Sequence, residues 1–265
     1  MDNVNRILAV DKPVGWTSHD VVSKIRGELG RKTKVGHGGT LDPFATGLLL
    51  ILIGKAVKRF DEIRTWEKEY MMTVKLGEAT DTGDPTGKIV TTSSSEPEVS
   101  QNEVERVLAS FVPGYEQTVP IYSAVKIGGR RAYKLARAGK EFIQPKRFVK
   151  IKEIELINLQ GPTLQVKVVC GSGTYMRQLA VDIGEKLGWP AHCAALRRTR
   201  LGTYKVKPCR SSLRLGLMEE QIKAAEIFFG WTLLMAAVKL STSCSSLNES
   251  FPIIRCIRGA LGSDL

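Results

Sequence analysis

An unbroken apolar run from Leu48 to Ile53 constrains the fold of this chain more than any other segment. The run does not alternate with polar residues, as a strand with one solvent-exposed face does. It is the pattern of a strand that is buried on both faces, and such a strand needs other elements packed on each side of it. A strand of this kind would also hold the segment that precedes it in a rigid position.

Other segments predict strands and helices in a mixed order. Strand patterns occur at Ile7 to Val10, Glu69 to Leu76 and Thr163 to Val169. Helix starts are indicated where a serine or threonine is followed three residues later by an acid, at Thr17 with Asp20 and at Ser100 with Glu103. The pieces do not follow a regular βαβ repeat. We therefore predict an α+β fold with a mixed, largely antiparallel central sheet and flanking helices.

The charge of the chain favours a polyanionic partner. Its 39 Lys and Arg residues outnumber its 27 Asp and Glu residues, a formal net charge of +12, and basic proteins bind nucleic acid by releasing its counterions. Ten basic residues lie between Lys126 and Lys152 and six between Arg197 and Arg210, with aromatic residues among them. Two solvated basic surfaces would explain this pattern, as would a phosphate track with stacking groups. For the second interpretation we assign RNA backbone contacts to Lys126, Arg130, Arg131, Lys146, Arg147, Arg197 and Arg198.

Cysteine usage and apolar segments suggest an intracellular protein. The five cysteines form no CxxC pair, and no histidine cluster completes a metal-ligand spacing. We predict neither a metal site nor disulfides. The amino terminus lacks the layout of a signal peptide. The longest apolar stretch, Ile227 to Val238, is shorter than the roughly 20 residues of a membrane helix, and we expect it to be a buried or interfacial helix. The expected location is the cytoplasm, without a membrane partner.

Asp42 is the candidate catalytic residue. It lies in the loop GHGGTLDPFATGLL, residues 36 to 49, which leads into the apolar run. Leu41 and Pro43 do little to solvate its carboxylate, and the glycines at 38 and 39 allow another backbone or a ligand to approach closely. An aspartate that caps its own turn is the alternative, and local sequence alone favours it.

Several motifs, taken together and in their order, resemble the TruB family of tRNA pseudouridine synthases. They are DKPVGWTSHDVV, the Asp42 loop, KEYMMTVKLGEATDTGDPTG, GSGTYMRQLAVDIG and HCAALRRTRLG. The resemblance covers about residues 7 to 208. It implies the pseudouridine synthase fold, with the active-site cleft across the central sheet. It also implies an inserted basic thumb, at about residues 120 to 150, that closes over an RNA stem-loop.

The resemblance also implies roles for individual residues. Asp42 matches the catalytic aspartate, and Lys12 and Asp84 match motif positions with structural or supporting roles. The positions that contact the target nucleotide or line its pocket are matched by His37, Tyr70, Tyr175, Arg177 and Leu196. Core packing is the alternative for Tyr70 and Leu196, and local loop hydrogen bonding is the alternative for His37.

Arg177 is a candidate site residue even without the resemblance. A helix is predicted from near Thr174, with a buried stripe formed by Tyr175, Leu179, Ile183 and Leu187. Arg177 lies off this stripe in the first turn, where the helix dipole disfavours a cation. It is either an ordinary surface arginine or the partner of a specific anion. The resemblance implies that this anion is Asp42, which would favour the ionised carboxylate.

The implied activity is isomerisation of uridine 55 in the T-loop of tRNA to pseudouridine. An aspartate without a metal or a second paired carboxylate suits covalent catalysis without a cofactor. Asp42 could attack C1′, or a glycal could form while Tyr70 or Asp42 takes the C2′ proton. Either route requires the base to leave its stack. Two alternatives remain: a tRNA-folding chaperone with little catalysis, and the catalytic subunit of a guide-RNA-directed pseudouridine synthase.

We expect two regions in a monomeric protein. Residues 1–209 form the predicted catalytic domain, which includes the thumb. Residues 210–265 form an atypical carboxyl-terminal segment without a clear RNA-binding domain, because the resemblance fades after about Pro208 and the composition becomes rich in serine.

Overall fold

A computed structural model of the chain describes residues 5–123, 125–132 and 142–206. A short 3₁₀ helix covers Gly54–Arg59. The other elements, in chain order, are β1 (Arg6–Lys12), α1 (Ser18–Leu29), β2 (Val35–His37), β3 (Thr46–Ile53), α2 (Phe60–Ile63), β4 (Lys68–Leu76), β5 (Glu78–Thr80), β6 (Ile89–Thr92), α3 (Gln101–Ala109), β7 (Gly114–Thr118), β8 (Lys126–Ile127), β9 (Arg130–Arg131), β10 (Lys146–Gln160), β11 (Thr163–Cys170), α4 (Met176–Lys186), β12 (Ala191–Leu201) and β13 (Tyr204–Lys205).

Some predictions fall on other parts of the chain. The middle of the predicted thumb (133–141), the helix predicted at Ile227 to Val238 and the segment 210–265 lie outside the described residues. The division into two regions therefore stays a prediction. In the ranges that the structure describes, no helix has the length and apolar character needed to cross a membrane.

The centre of the described structure is one mixed sheet. Its main strands lie in the order β1–β3–β12–β4–β11–β10–β7. β2 pairs with the end of β3, on the same edge on which β12 pairs with its start, and β13 pairs with β12. The pairings are antiparallel except for the short parallel contact of β3 with β12, where Thr46 and Gly47 face Arg197 and Arg198. The predicted fold class, with a largely antiparallel sheet and flanking helices, is confirmed.

Strand β3 is the buried strand that the apolar run predicted. Each residue from Gly47 to Ile53 is buried. Its alternate residues pack with Ile63 and Leu201 on one side, and the residues between them, Leu49, Ile51 and Ile53, are buried as well. Burial on both sides explains why this segment contains no polar side chain.

The predicted helix starts are also confirmed. The Thr17 hydroxyl accepts from the Asp20 backbone amide at 3.1 Å, and the Thr17 amide donates to the Asp20 carboxylate at 2.8 Å. These two hydrogen bonds satisfy amides that the first turn of α1 leaves free. Ser100 caps α3 in the same position. Both caps follow from local sequence, and so they were predictable.

Gly47 marks the place where β3 meets β12. Its φ of +99° belongs to the region that favours glycine, and a Cβ there would lie 2.9 Å from the Arg198 backbone nitrogen. The close backbone approach brings the end of the Asp42 loop against a strand that lies about 150 residues later in the chain.

Candidate active site

The Asp42 loop connects β2 to β3 and is held on both sides of the carboxylate. The Ser18 hydroxyl accepts from the Leu41 amide at 2.9 Å and donates to the Leu41 carbonyl at 3.2 Å. On the other side, the Pro43 carbonyl accepts from the Gly15 amide at 2.8 Å. The Asp42 side chain is 39% exposed and opens onto a cavity of about 570 Å³. The carboxylate is therefore fixed in place and still accessible.

Lys12 also holds the Asp42 loop in position. Its side chain is fully buried, and its ammonium donates to the carbonyls of Pro13 at 2.9 Å, Trp16 at 2.7 Å and Pro43 at 3.3 Å. Burial lowers the pKa of Lys12 to about 8, an effect that the negative charge of Asp42 opposes. Lys12 therefore connects the loop after β1 to the residue that follows Asp42.

Arg177 contacts Asp42 directly. Its Nε donates to Asp42 Oδ2 at 3.0 Å, while Nη1 donates to the Thr82 carbonyl at 2.8 Å and Nη2 to the Tyr122 carbonyl at 3.0 Å. Only 7% of Arg177 is exposed. The structure thus excludes an ordinary surface arginine and pairs the two residues that the resemblance implied.

A second carboxylate, that of Asp84, also contacts the Arg177 guanidinium. Asp84 Oδ2 is 3.5 Å from Arg177 Nη1. Its Oδ1 accepts from the Thr82 hydroxyl at 2.8 Å and from the Thr86 amide at 3.0 Å. Asp42 and Asp84 therefore share Arg177 as a common counter-ion. Within the described ranges, no three His, Cys, Asp or Glu side chains are arranged to hold a metal ion.

His37 is the last residue of β2 and lies about five positions before Asp42 in the sequence. Its Nδ1 is buried and has no hydrogen-bond partner among the described residues, so this nitrogen does not make the local loop bond considered above. Burial lowers the pKa of His37, and the positive charge of Arg198 lowers it further. The imidazole is therefore neutral at neutral pH.

Tyr70 and Leu196 are buried residues of β4 and β12, two neighbouring strands of the central sheet. Tyr70 shares the buried face of β4 with Met72 and Val74. Burial raises the pKa of Tyr70. Leu196 is 6% exposed and lines a second cavity of about 460 Å³. Phe44 lines both this cavity and that of Asp42, so the two lie side by side.

Tyr175 immediately precedes α4 and is half-buried. Its backbone amide donates to Gln117 Oε1 at 2.8 Å, and Gln117 Nε2 donates to its carbonyl at 3.0 Å. Gln117 is fully buried. The buried side-chain amide of Gln117 therefore connects β7 to the start of α4, at a point two residues before Arg177. Sequence patterns gave no reason to single out Gln117.

The walls of the Asp42 cavity come from loops that are distant in sequence. They are formed by Asp42, Pro43, Phe44, Asp81, Thr82, Asp84, Thr86, Gly87, Lys88, Tyr122, Ser123 and Arg177. His37, Tyr70 and Tyr175 are not among these walls. Sequence reasoning missed Thr82, Tyr122 and Ser123, whose place in the site depends on contacts with Arg177 and on the shape of the cavity.

Comparison with known families identifies the chain. The model of the TruB family pseudouridylate synthase N-terminal domain matches residues 26–176, more than half of the chain. The chain belongs to the TruB family. A model of the tRNA pseudouridylate synthase B C-terminal domain matches residues 177–223.

Relatives of this TruB family member support the assignment. A protein of Parabacteroides distasonis named tRNA pseudouridine synthase B is 44% identical over 210 residues, covering 77% of this chain and 89% of the relative. A protein of Bacillus subtilis with the same name is 45% identical over 211 residues, covering 78% of this chain and 68% of the relative.

Solved structures show a similar fold. A structure of a Cbf5-Nop10-Gar1 complex matches with a TM-score of 0.60 and 30% identity, covering 77% of this chain and 51% of that one. An H/ACA RNP bound to a substrate RNA containing 2′-deoxyuridine matches with a TM-score of 0.56 and 28% identity, covering 76% of this chain and 49% of that one. This chain therefore spans about half the length of these structural relatives.

The basic residues of this TruB family member differ in exposure. The side chains of Arg130, Lys146 and Arg147 are exposed. Arg197 is partly exposed and pairs with Asp11, with Nη2 2.6 Å from Asp11 Oδ2. Lys126 and Arg131 belong to the β8–β9 hairpin, but their side chains lie outside what the structure describes.

The assignment of Arg198 to the RNA backbone was wrong. Only 1% of this residue is exposed. Its Nε donates to the Leu48 carbonyl at 2.7 Å, Nη1 to the Thr40 carbonyl at 3.3 Å and Nη2 to the Gly39 carbonyl at 3.1 Å. A phosphate cannot reach a guanidinium in this position. Arg198 instead fastens the Asp42 loop to β3 from inside the protein.

We expect Arg198→Met to destabilise the protein by at least about 3 kcal/mol, because each buried acceptor left unpaired costs about 1–3 kcal/mol. Arg197→Met removes the neighbouring surface ion pair, and we expect it to cost less than about 1 kcal/mol. Urea unfolding of both variants tests this prediction. Equal midpoints for Arg198→Met and the wild type would contradict the structural role of Arg198.

Proposed function

We propose that this protein isomerises uridine to pseudouridine in tRNA, at position 55 of the T-loop, without a cofactor. The observation that carries the proposal is the accessible Asp42 carboxylate, held by the buried Arg177 at the wall of a cavity of about 570 Å³. A volume of this size is typical of small-molecule sites, which span about 300–1,000 Å³. The names of relatives at 42–45% identity support tRNA as the substrate.

The reaction breaks the bond from N1 to C1′ and forms a bond from C1′ to C5, after which the C5 proton leaves. In one route the Asp42 carboxylate attacks C1′ as uracil departs, and the resulting ester bond breaks when C5 attacks. In the other route a base removes the C2′ proton as the bond from N1 to C1′ breaks, which leaves a glycal; C5 then bonds to C1′ while C2′ takes a proton back. No electrons are gained or lost overall, and no water is consumed.

The surroundings of Tyr70 favour Asp42 as the reactive group in either route. The phenol is buried and its pKa is raised, so it keeps its proton at neutral pH. A protonated phenol cannot accept the C2′ proton without first losing its own. We therefore assign the attack on C1′, or the removal of the C2′ proton, to Asp42 rather than to Tyr70.

RNA binding is assigned to exposed basic side chains. Arg130, Lys146 and Arg147 are available to phosphates, and Arg197 becomes available when it exchanges Asp11 for a phosphate. Such contacts predict that tRNA affinity falls steeply as the salt concentration rises. The target nucleotide must leave its stack to reach Asp42, and this costs least in a loop.

Tritium release from C5-labelled uridine in an unmodified tRNA transcript tests the proposal. We expect release by the wild-type protein, and no release when uridine 55 alone is replaced by cytidine. Continued release from the cytidine transcript would place the modification at another position. No release from the original transcript would overturn the enzyme assignment.

The same assay separates the two alternatives. A tRNA-folding chaperone would bind the transcript, for example in a filter-binding assay, without releasing tritium. The catalytic subunit of a guide-RNA-directed enzyme would release tritium only after a guide RNA is added. The relatives named tRNA pseudouridine synthase B have a higher sequence identity to this chain than the solved Cbf5-Nop10-Gar1 and H/ACA RNP structures have, which favours the enzyme that acts alone. The monomeric state and the cytoplasmic location stay predictions.

A further inference from the structure

Ser123 has a buried hydroxyl without a partner. Only 5% of the residue is exposed, and its Oγ makes no hydrogen bond with any described residue. Leaving a buried hydroxyl unpaired is unfavourable, and such groups in native proteins call for a physical explanation. Ser18 offers a direct contrast, because it is equally buried and its hydroxyl makes two hydrogen bonds with Leu41.

Ser123 is one of the residues that line the Asp42 cavity. Its position is fixed through Arg177, whose Nη2 donates to the carbonyl of the preceding residue, Tyr122, at 3.0 Å. The same guanidinium donates through Nε to Asp42 at 3.0 Å. One rigid, planar group therefore sets the positions of both the carboxylate and the segment that carries Ser123.

A molecule that enters this cavity can supply the missing partner. A serine hydroxyl donates one hydrogen bond and accepts others, and it rotates to suit its partner. Uracil presents carbonyl oxygens on both sides of its N3–H group. When the base turns about the axis through N3 and C6, N1 exchanges with C5 and one carbonyl takes the place of the other. A hydroxyl that donates to a carbonyl can thus keep an equivalent bond before and after the turn.

We propose that the Ser123 hydroxyl binds the target nucleotide in the Asp42 cavity by a hydrogen bond to the polar edge of the uracil. This inference rests on the proposed function, since it takes uridine as the occupant of the cavity. Ser123 is a substrate-binding residue in this assignment. The bond replaces the partner that the hydroxyl lacks in the free protein.

Ser123→Ala tests the assignment with two readouts. We expect kcat/KM for tritium release to fall about tenfold, as for one lost hydrogen bond to substrate. The melting temperature of the free protein should stay the same or rise, because the substitution removes an unpaired polar group. Ser18→Ala is the buried control and should lower the melting temperature, since it breaks two hydrogen bonds. Ser94→Ala, at an exposed loop position, should change neither quantity.

The possible outcomes are distinct. An active wild type with Ser123→Ala activity within twofold of it would overturn the role of Ser123 and leave the proposed function intact. A melting temperature lowered as much as in Ser18→Ala would also overturn it, because the hydroxyl would then have a structural partner in the free protein. Absence of tritium release from the wild type would instead overturn the proposed function itself.

Discussion

Asp42→Asn is expected to reduce tritium release from C5-labelled tRNA by at least about 10³-fold, while tRNA affinity stays within about twofold of the wild type. The asparagine side chain has nearly the same shape, and its carbonyl oxygen can still accept from Arg177 Nε. It can neither attack C1′ nor take a proton. Single-turnover tritium release and filter binding measure the two quantities separately.

Asp11→Asn is a matched control for this variant. Asp11 also pairs with an arginine, Arg197, and its side chain is 41% exposed, against 39% for Asp42. Loss of a similar surface carboxylate should leave the single-turnover rate within about twofold of the wild type. Equal turnover in Asp42→Asn and the wild type would remove Asp42 from the chemistry. Equal losses in both asparagine variants would point to a general effect of charge.

Arg177→Ala is expected to lower both turnover and stability, the latter by about 3–5 kcal/mol. The substitution leaves the buried Asp84 without its counter-ion and removes donors from the carbonyls of Thr82 and Tyr122. It also frees the Asp42 carboxylate to move. Arg177→Lys should recover only part of both losses, because one ammonium cannot reach four acceptors in different directions. Urea unfolding, and turnover at a temperature where each variant is folded, measure the effects.

Lys186→Ala provides the comparison on the same helix. Lys186 donates to the Ser110 hydroxyl and lies over the Phe111 ring at the exposed end of α4, so its loss should cost only about 1–2 kcal/mol. If Arg177→Ala weakened tRNA binding without changing turnover, Arg177 would be a phosphate ligand and its contact with Asp42 would have no catalytic consequence.

The elements that could be predicted are those whose cause lies within a few residues. The buried strand β3 follows from an unbroken apolar run, and the cap of α1 follows from Thr17 and Asp20. The Asp42–Arg177 pair joins residues 135 positions apart, so no local pattern contains it. It was expected only because several motifs together resembled a family. Asp84 was assigned a supporting role for the same reason, but its contact with Arg177 depends on the tertiary fold and has no local sequence signal.

Arg198 shows why charge clusters mislead. Arg197 and Arg198 are adjacent in sequence, and a strand points consecutive side chains to opposite faces. One of the two must therefore point away from the surface that binds RNA. Leu196, two positions earlier, was expected to line a pocket, and alternation places Arg198 on the same face. Applied to the basic cluster, this rule would have identified the buried arginine.

The junction of β3 with β12 has a consequence for the order in which the Asp42 loop is completed during synthesis. Gly39, Thr40 and Leu48 receive their hydrogen bonds from Arg198, which is translated 150 to 159 residues later. Contacts of such long sequence separation form late and slow the folding of a domain. A nascent chain that carries the Asp42 loop but not yet β12 lacks these bonds. Ribosome-bound intermediates should therefore leave the tRNAs around them unmodified until β12 has emerged.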